Sequence, residues 1–253
     1  MDRKRIQERR KQRSVARYVP VVALLILFVA IFGVSVFFRV TDISVTGASR
    51  YSAEDIIRAA GIETGGNLVF VDGGAAALRI GNEMPYVSVV KIVRHMPNSV
   101  TIEITESTPF AVVGAQGGYW IIDVNGRMLE RTDSVGAARY LHVVGITPNE
   151  PEAGKKLAVE ESFGSRLEYL LRIFSAVDEM GVAGDLANIN VSNISNITFE
   201  YKGRFAVQFG NADDCKYKLE RLLGVVEQLD PTDEGRIDLS QGGETAFIPN
   251  GTF

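Results

Sequence analysis

The sequence has few of the side chains on which most catalytic and metal sites depend. Its 253 residues include one cysteine, Cys215, and two histidines. An intrachain disulfide is therefore excluded, and a Ser-His, Cys-His or histidine-rich zinc site has almost no residues to use. The motifs G-x-x-x-x-G-K-[ST], G-x-G-x-x-G, G-x-S-x-G, H-E-x-x-H and C-x-x-C are absent. We expect no metal, no cofactor and no catalytic residue, and a packed Cys215.

Charge is missing from one long segment. Val19–Phe38 has twenty residues and no charged side chain, which is long enough as a helix to span the ~30 Å hydrocarbon core of a bilayer. A cleaved signal peptide is the alternative, but its apolar region is typically about 7–15 residues long, and no A-x-A site follows here. We predict an uncleaved single-pass anchor in the cell membrane.

The basic side chains are concentrated before this segment. Residues 1–18 carry eight of them, whereas residues 39–253 carry 19 basic and 29 acidic side chains, a net charge of −10. A basic tail beside a membrane span is explained by orientation and by attraction to anionic lipid rather than by nucleic-acid binding. The tail should stay cytoplasmic, which places residues 39–253 outside the cytoplasm.

Residues 39–108 predict a small domain with the order β-α-(β)-α-β-β. Ser52 suits a helix N-cap and Gly61 a helix stop, so "SAEDIIRAAG" predicts a helix after the strand "VTDISVTG". "GGNLVFVD" predicts a turn into a short extended segment, and "GGAAALRIGNEM" a weaker helix. "MPNS" is a turn sequence between two strands, "YVSVVKIVRH" and "SVTIEITES".

Residues 109–240 predict a strand-rich domain with two amphipathic helices, followed by a tail at 241–253. The helices are "SFGSRLEYLLRIFSAVDEMG" and "DDCKYKLERLLGVVEQLD". "VNGR" holds the Asn-Gly pair that favours a tight two-residue hairpin. The predicted strands are "FAVVGA", "GYWIIDVNGRMLER", "RYLHVVGI", "LANINVS", "NITFEY", "RFAVQFG" and "GRIDLS". Strands with intervening helices indicate an α+β fold class.

The polar residues of 90–113 could form a small acidic site. Period 2 places Glu103 on one face with threonines, and Lys91 and Arg94 are available as cross-strand partners. We therefore interpret His95, Glu103 and Glu106 as a solvated sheet face.

Three other groups of residues have a chemical and a structural interpretation. Gly65/Gly66 and Gly73/Gly74 are interpreted as turn glycines that need positive φ, not as a phosphate loop. Asn190, Asn193 and Asn196 form consecutive N-x-[ST] sequons, but a strand–turn–strand explains them better. The carboxylates left as a possible hydrolase pair are Asp123, Glu130 and Asp133.

The last segment, "RIDLSQGGETAFIPN", has two open interpretations. It could lie at a sheet edge, where unpaired N–H and C=O groups accept a partner strand. It could equally be an ordinary last strand with a frayed tail.

Several blocks occur together and in a fixed order. They are "FRVTDISVTGASRYSAEDIIRAAGIETGGNLVFVD", "MPYVSVVKIVRHMPNSVTIEITESTPFAVV", "YWIIDVNGRML", and "KYKLERLLGVVEQL" followed by "GRIDLS". With the basic tail and apolar segment, they make the chain resemble the FtsQ/DivIB family of bacterial cell-division proteins over nearly its whole length. The first two blocks look like the POTRA domain of that family.

The resemblance implies a non-enzymatic scaffold of the division machinery, concentrated at the division septum. In this family the part outside the cytoplasm binds two small bitopic coiled-coil partners, FtsB/DivIC and FtsL, and a partner strand is added at the final strands and tail. Carried over by position, the partner-binding residues would be Ile237, Asp238, Leu239, Ser240, Gln241, Gly243 and Phe247. Two alternatives remain: a POTRA-type export or assembly factor, and a membrane-anchored cell-wall hydrolase.

Overall fold

A computed structural model describes residues 20–29, 32–34, 36–240 and 245–250. Residues 20–29, 32–34 and 36–37 are helical and their large apolar side chains are exposed. Within the described ranges no helix combines the length and the apolar character needed to cross a membrane. The predicted span Val19–Phe38 lies partly outside these ranges, and the basic tail 1–18 lies wholly outside them.

The chain divides into two compact units, one formed by residues up to Ile80 with Val90–Ile104, the other by Gly81–Val89 with Thr105 onward. We call the described residues up to Glu106 the first region and those from Ser107 onward the second. In the first region three strands form a sheet in the order β1-β3-β2, and β1 runs parallel to β3. The elements are β1 (Asp42–Thr46), α1 (Ala53–Ala60), a 3-10 turn (Leu68–Phe70), α2 (Gly73–Glu83), β2 (Val87–His95) and β3 (Ser99–Glu106).

The predicted start and stop of α1 are confirmed. The Ser52 hydroxyl accepts a hydrogen bond from the Asp55 N–H at 3.1 Å, and Gly61 ends the helix in the left-handed conformation at φ 61°. This is the N-cap and C-cap chemistry that the two residue types favour. Ile56 of α1 and Ile80 of α2 are fully buried, as are Val100 and Ile102 of β3.

Two predictions for the loop before α2 are wrong. The predicted short extended segment is a 3-10 turn, with only an isolated bridge from Asn67 to Arg39. Asn67 caps this turn by accepting from the Val69 N–H at 2.9 Å, which favours a turn over a strand. Of the four glycines interpreted as positive-φ residues only Gly65 has positive φ, at 91°.

The second region contains a mixed sheet of nine strands among the described residues, in the order β12-β11-β10-β9-β8-β7-β4-β5-β6. The apolar face of the sheet packs with Leu170, Phe174 and Leu219 from its helices in one core. The strands are β4 (Ala111–Ala115), β5 (Gly118–Ile122), β6 (Met128–Thr132), β7 (Leu141–Val144), β8 (Leu186–Asn190), β9 (Ile197–Tyr201), β10 (Phe205–Gly210), β11 (Gly235–Asp238) and β12 (Ala246–Pro249). The helices are α3 (Ser134–Ala137), α4 (Gly164–Glu179) and α5 (Cys215–Val226).

The connections of this sheet differ from the prediction at one turn and agree at another. β5 and β6 are joined by five residues, with Gly126 at φ 74°, and not by a two-residue Asn-Gly turn. The turn between β8 and β9 is as predicted: Asn190 and Asn193 each accept a hydrogen bond from a backbone N–H two residues on. The asparagines therefore shape a bend between strands.

Candidate functional site

The candidate site is the outer edge of the nine-stranded sheet, at β12. The last segment, for which the sequence leaves an edge position and an ordinary last strand both open, contains two strands with different positions. β11 lies between β10, to which it is parallel, and β12, to which it is antiparallel. The edge interpretation therefore holds for Ala246–Pro249 and is wrong for β11, which Ala246–Pro249 covers. In the part of the chain that the structure describes, nothing pairs with the other side of β12.

The hydrogen-bond register shows which backbone groups of β12 face outward. The Asn250 N–H donates to the Glu234 carbonyl at 2.9 Å, so these opposed residues form a hydrogen-bonded pair. Such pairs alternate along an antiparallel ladder, which makes Ile248 and Ala246 the next residues bonded to β11. Phe247 and Pro249 therefore point their backbone groups away from β11. Proline has no N–H, so within β12 the outward donor is that of Phe247.

The side chain of Phe247 points into the sheet's core. Its ring meets the ring of Phe205 edge-on, with centroids 6.1 Å apart, and it lies opposite Ile237 on β11. Gly235 leaves the space for this ring, since a Cβ there would lie 2.9 Å from the Phe247 Cε2 atom and would overlap the Ile248 carbonyl oxygen. Phe247 thus holds β12 on the sheet.

The other residues proposed for partner binding are divided between core and turn. Ile237 and Leu239 are buried. The Asp238 carboxylate accepts from the Ser240 N–H at 2.9 Å and from its hydroxyl at 2.6 Å, which closes a local turn after β11. Gln241 and Gly243 lie outside the described residues. No member of this group other than Phe247 belongs to β12.

The outer face of this edge carries exposed side chains of mixed character. Ile248 is exposed opposite the exposed Arg236, and Ala246 is exposed opposite Asp238. An added strand would therefore find backbone groups on β12 and a small apolar and charged surface beside it.

Of the three carboxylates considered for hydrolysis, Asp123 and Asp133 have structural partners, and Glu130 is exposed on β6. Asp123 is 3% exposed, and its oxygens accept from the Ser107 hydroxyl at 2.7 Å and from the N–H groups of Asn125 at 2.9 Å and Arg127 at 2.8 Å. Asp133 caps α3 by accepting from the Gly136 N–H at 2.8 Å. The hydrogen bonds of both carboxylates explain their positions through turn and cap geometry.

The face that carries His95 and Glu103 is solvated, as predicted, but Glu106 lies on the opposite face of β3, three residues after Glu103, and is half-buried. Lys91 and Glu103 form an exposed ion pair at 3.0 Å, and the His95 Nε2 atom lies 3.1 Å from the Thr101 hydroxyl. Among the described residues no cluster of three histidine, cysteine or acidic side chains could hold a metal ion.

Two buried groups have shifted pKa values, and neither belongs to β12. Burial, together with the carboxylate of Asp185 to which the hydroxyl donates at 3.2 Å, raises the pKa of Tyr201 to about 12. Burial also raises the pKa of the Cys215 thiol, and Lys218 partly opposes that effect. A buried thiol with a raised pKa is a packed side chain and a poor nucleophile.

Comparison with known proteins relates both regions of the chain to bacterial cell-division proteins. A family model described as POTRA domain, FtsQ-type, matches residues 38–107, and one described as cell division protein FtsQ/DivIB, C-terminal, matches residues 111–240. The cell division protein DivIB of Clostridium tetani is 24% identical over 216 residues, which are 84% of this chain and 80% of that protein. DivIB of Clostridium botulinum strain Hall is 22% identical over 246 residues, 96% of this chain and 94% of that protein. FtsQ of Corynebacterium glutamicum is 36% identical over 111 residues, 42% of this chain and 50% of that protein.

Proposed function

Because the chain belongs to the FtsQ/DivIB family of bacterial cell-division proteins, we propose that it acts as a non-enzymatic scaffold that binds other division proteins at the septum. Its expected partners are small bitopic coiled-coil proteins of the FtsB/DivIC and FtsL types. The observation that carries this proposal is the exposed edge at β12, with the Phe247 backbone directed outward.

The proposed contact is addition of one partner strand to β12. A strand laid on this edge extends the nine-stranded sheet without displacing any of the chain's own strands. The Phe247 N–H and C=O would form the central pair of hydrogen bonds, and side chains beside Ile248 and Arg236 would supply selectivity. Ile237 and Leu239 support the edge from the core.

The proposed topology places this edge outside the cytoplasm. Residues 1–18 would be the cytoplasmic tail, Val19–Phe38 the anchor, 39–108 the POTRA domain, 109–240 the β domain and 241–253 the tail that carries β12. The charge-free segment and the exposed apolar side chains of residues 20–29 support the anchor. The basic tail supports the orientation.

Affinity capture from membranes tests the partner site. The full chain should co-purify with small bitopic coiled-coil division proteins, and the chain truncated after Leu239 should lose them. Recovery of no division protein by the full chain contradicts the scaffold role. Equal recovery by the truncated chain contradicts only the β12 site and redirects attention to the edge strand β2.

A matched pair of variants separates the backbone from the ring of Phe247. Phe247→Ala and Phe247→Pro both remove the ring, but only the proline variant removes the outward N–H. We expect capture to be weaker for Phe247→Pro than for Phe247→Ala. Capture by Phe247→Pro equal to that by the unaltered protein would mean that no strand is added at this position.

A further inference from the structure

The first residues after the apolar segment are hydrogen-bonded to two loops of the POTRA domain. The Leu68 N–H donates to the Phe38 carbonyl at 2.7 Å, and the Val40 N–H donates to the Gly66 carbonyl at 2.8 Å. The Asn67 amide also donates to the Val34 carbonyl at 3.2 Å. The loop that contains the 3-10 turn Leu68–Phe70 is thus attached directly to the end of the predicted anchor.

The second loop is the turn between β2 and β3. The Thr41 N–H donates to the Asn98 carbonyl at 2.8 Å, and the Asn98 amide donates to the Thr41 hydroxyl at 2.8 Å. The Arg94 guanidinium, near the end of β2, donates to the Val69 carbonyl at 3.3 Å and so connects this turn to the first loop. Both loops therefore lie at the end of the domain where the chain leaves the apolar segment.

These loops expose apolar side chains that the domain does not bury. Phe70 is 79% exposed, Met96 is 60% exposed, and Val69 is also exposed. Arg39 and Arg94 are exposed beside them. The acidic side chains of the same end are Asp42, Glu63 and Asp72, all exposed. We name the surface of Arg39, Val69, Phe70, Arg94 and Met96 the proximal rim.

We propose that the proximal rim is a second membrane contact, in which Phe70, Val69 and Met96 enter the headgroup region of the bilayer that holds Val19–Phe38. The proposal rests on the proposed anchor. Aromatic and apolar side chains flanked by arginine are the composition that favours the membrane interface. The hydrogen bonds from Leu68 to Phe38 and from Asn67 to Val34 keep the rim beside the last one or two helical turns of Val19–Phe38. A lipid surface is the occupant because the anchor brings it there in every molecule.

The contact would orient the POTRA domain on the membrane. A domain that is attached to the membrane at one flexible point can rotate relative to the bilayer. A domain that contacts the membrane at both the anchor and the rim cannot, because the two contacts are joined by hydrogen bonds. The domain would then keep a fixed orientation relative to the bilayer.

Depth-dependent fluorescence quenching in the full chain tests this contact. Phe70→Trp places an indole on the rim, Leu78→Trp places one at an equally exposed position (70%) on α2, and Phe28→Trp places one in the predicted anchor. α2 begins against Ile92, three residues before the end of β2, and Leu78 lies five residues further along the helix than Gly73, which is about 7.5 Å of rise. The natural Trp120 is 8% exposed and serves as a common background.

Each protein is reconstituted in vesicles of phosphatidylcholine and phosphatidylglycerol with or without brominated acyl chains. We expect Phe28→Trp to be strongly quenched, Phe70→Trp to lose roughly half of its added emission at a depth of about 5–10 Å, and Leu78→Trp to be unchanged. If Phe28→Trp is quenched but Phe70→Trp is quenched no more than Leu78→Trp, the rim contact is overturned and the anchor is left intact. Absence of quenching in Phe28→Trp overturns the anchor and the rim together. Protection of Phe70→Trp from both bromolipid and aqueous acrylamide shows a protein occupant and also overturns the proposal.

Discussion

The ring of Phe247 packs edge-on against the ring of Phe205, while the backbone of Phe247 faces away from the neighbouring strand β11. Phe247 therefore both attaches β12 to the core and directs backbone hydrogen-bonding groups outward. Its side chain fixes β12 to the core, and its N–H and C=O remain directed outward. Loss of the ring should loosen the strand before it changes the rest of the sheet.

Phe247→Ala should destabilise β12 locally. The ring is partly buried against the core, so its removal should reduce the free energy of opening β12 by about 1–3 kcal/mol, less than a fully buried phenylalanine. Hydrogen exchange of the Ile248 amide, which bonds to β11, should become faster by a matching factor. Exchange in β4, on the opposite half of the sheet, is the internal control. Equal acceleration in β4 and β12 would mean that the ring supports the whole unit.

Asp123→Ala should destabilise the second unit strongly. The substitution removes the acceptor of the Ser107 hydroxyl and of two backbone N–H groups in a buried position, which costs about 3 kcal/mol. Asp123→Asn keeps one carbonyl acceptor, so we expect it to lose less. Urea unfolding of the two variants measures the difference. A stability equal to that of the unaltered protein in Asp123→Ala would show that these hydrogen bonds do not maintain the turn.

Gly47→Ala should be more harmful than Gly181→Ala. Both glycines have positive φ, 81° and 67°, so both variants pay the strain of a left-handed residue, about 1–2 kcal/mol. A Cβ at Gly47 would also overlap the Ile104 carbonyl oxygen, whereas a Cβ at Gly181 meets nothing within 4 Å. The excess loss of thermal stability in Gly47→Ala measures the close approach of β1 to β3. Equal losses would mean that the backbone moves to accommodate the methyl group.

Tyr201 should make the stability fall at alkaline pH. Its pKa is raised by burial and by Asp185 to about 12 in the folded protein, against about 10 in the unfolded chain. Between these values the unfolded chain releases the proton and the folded protein keeps it, so the free energy of unfolding decreases as pH rises. Below about pH 10 both states hold the proton and this contribution is constant.

Urea unfolding of the unaltered protein and of Tyr201→Phe checks this prediction. The Tyr201→Phe variant lacks both the hydrogen bond to Asp185 and the titrating hydroxyl. Only the unaltered protein should therefore lose this stabilisation at alkaline pH, and the stability difference between the two proteins should be smaller at about pH 11.5 than at about pH 9. Lys202, whose Nζ atom lies 3.8 Å from the Asp185 carboxylate, is present in both and cancels in the difference. A constant difference across this range contradicts the raised pKa.

Local chemistry made much of the fold predictable. Ser52 and Gly61 mark the ends of α1 because their capping interactions involve only neighbouring residues. The alternation around Glu103 identified a solvated face because period 2 needs no knowledge of the partner strand. The two long helices of the β domain, α4 and α5, follow from their apolar periodicity in the same way.

The edge of the large sheet could not be predicted with the same certainty. Ala246–Pro249 is only four residues long, too short for its alternation to differ from that of a loop. Its pairing depends on the space left by Gly235 and on the ring of Phe205, both distant in sequence. Strand order across parallel pairs such as β10 and β11 is likewise a non-local property.

The parallel pairing of β1 with β3 determines how the POTRA domain responds to mechanical load. Tension that enters at Val40 and leaves at the end of β3 pulls the two strands in opposite directions along their own axes. The hydrogen bonds along the five residue pairs from Asp42↔Ser99 to Thr46↔Glu103 are then loaded in shear and must break together. Strands that are pulled apart from one end would instead lose their hydrogen bonds one at a time. A domain built in this way can carry force between the start of β1 and the end of β3 without losing its first strand.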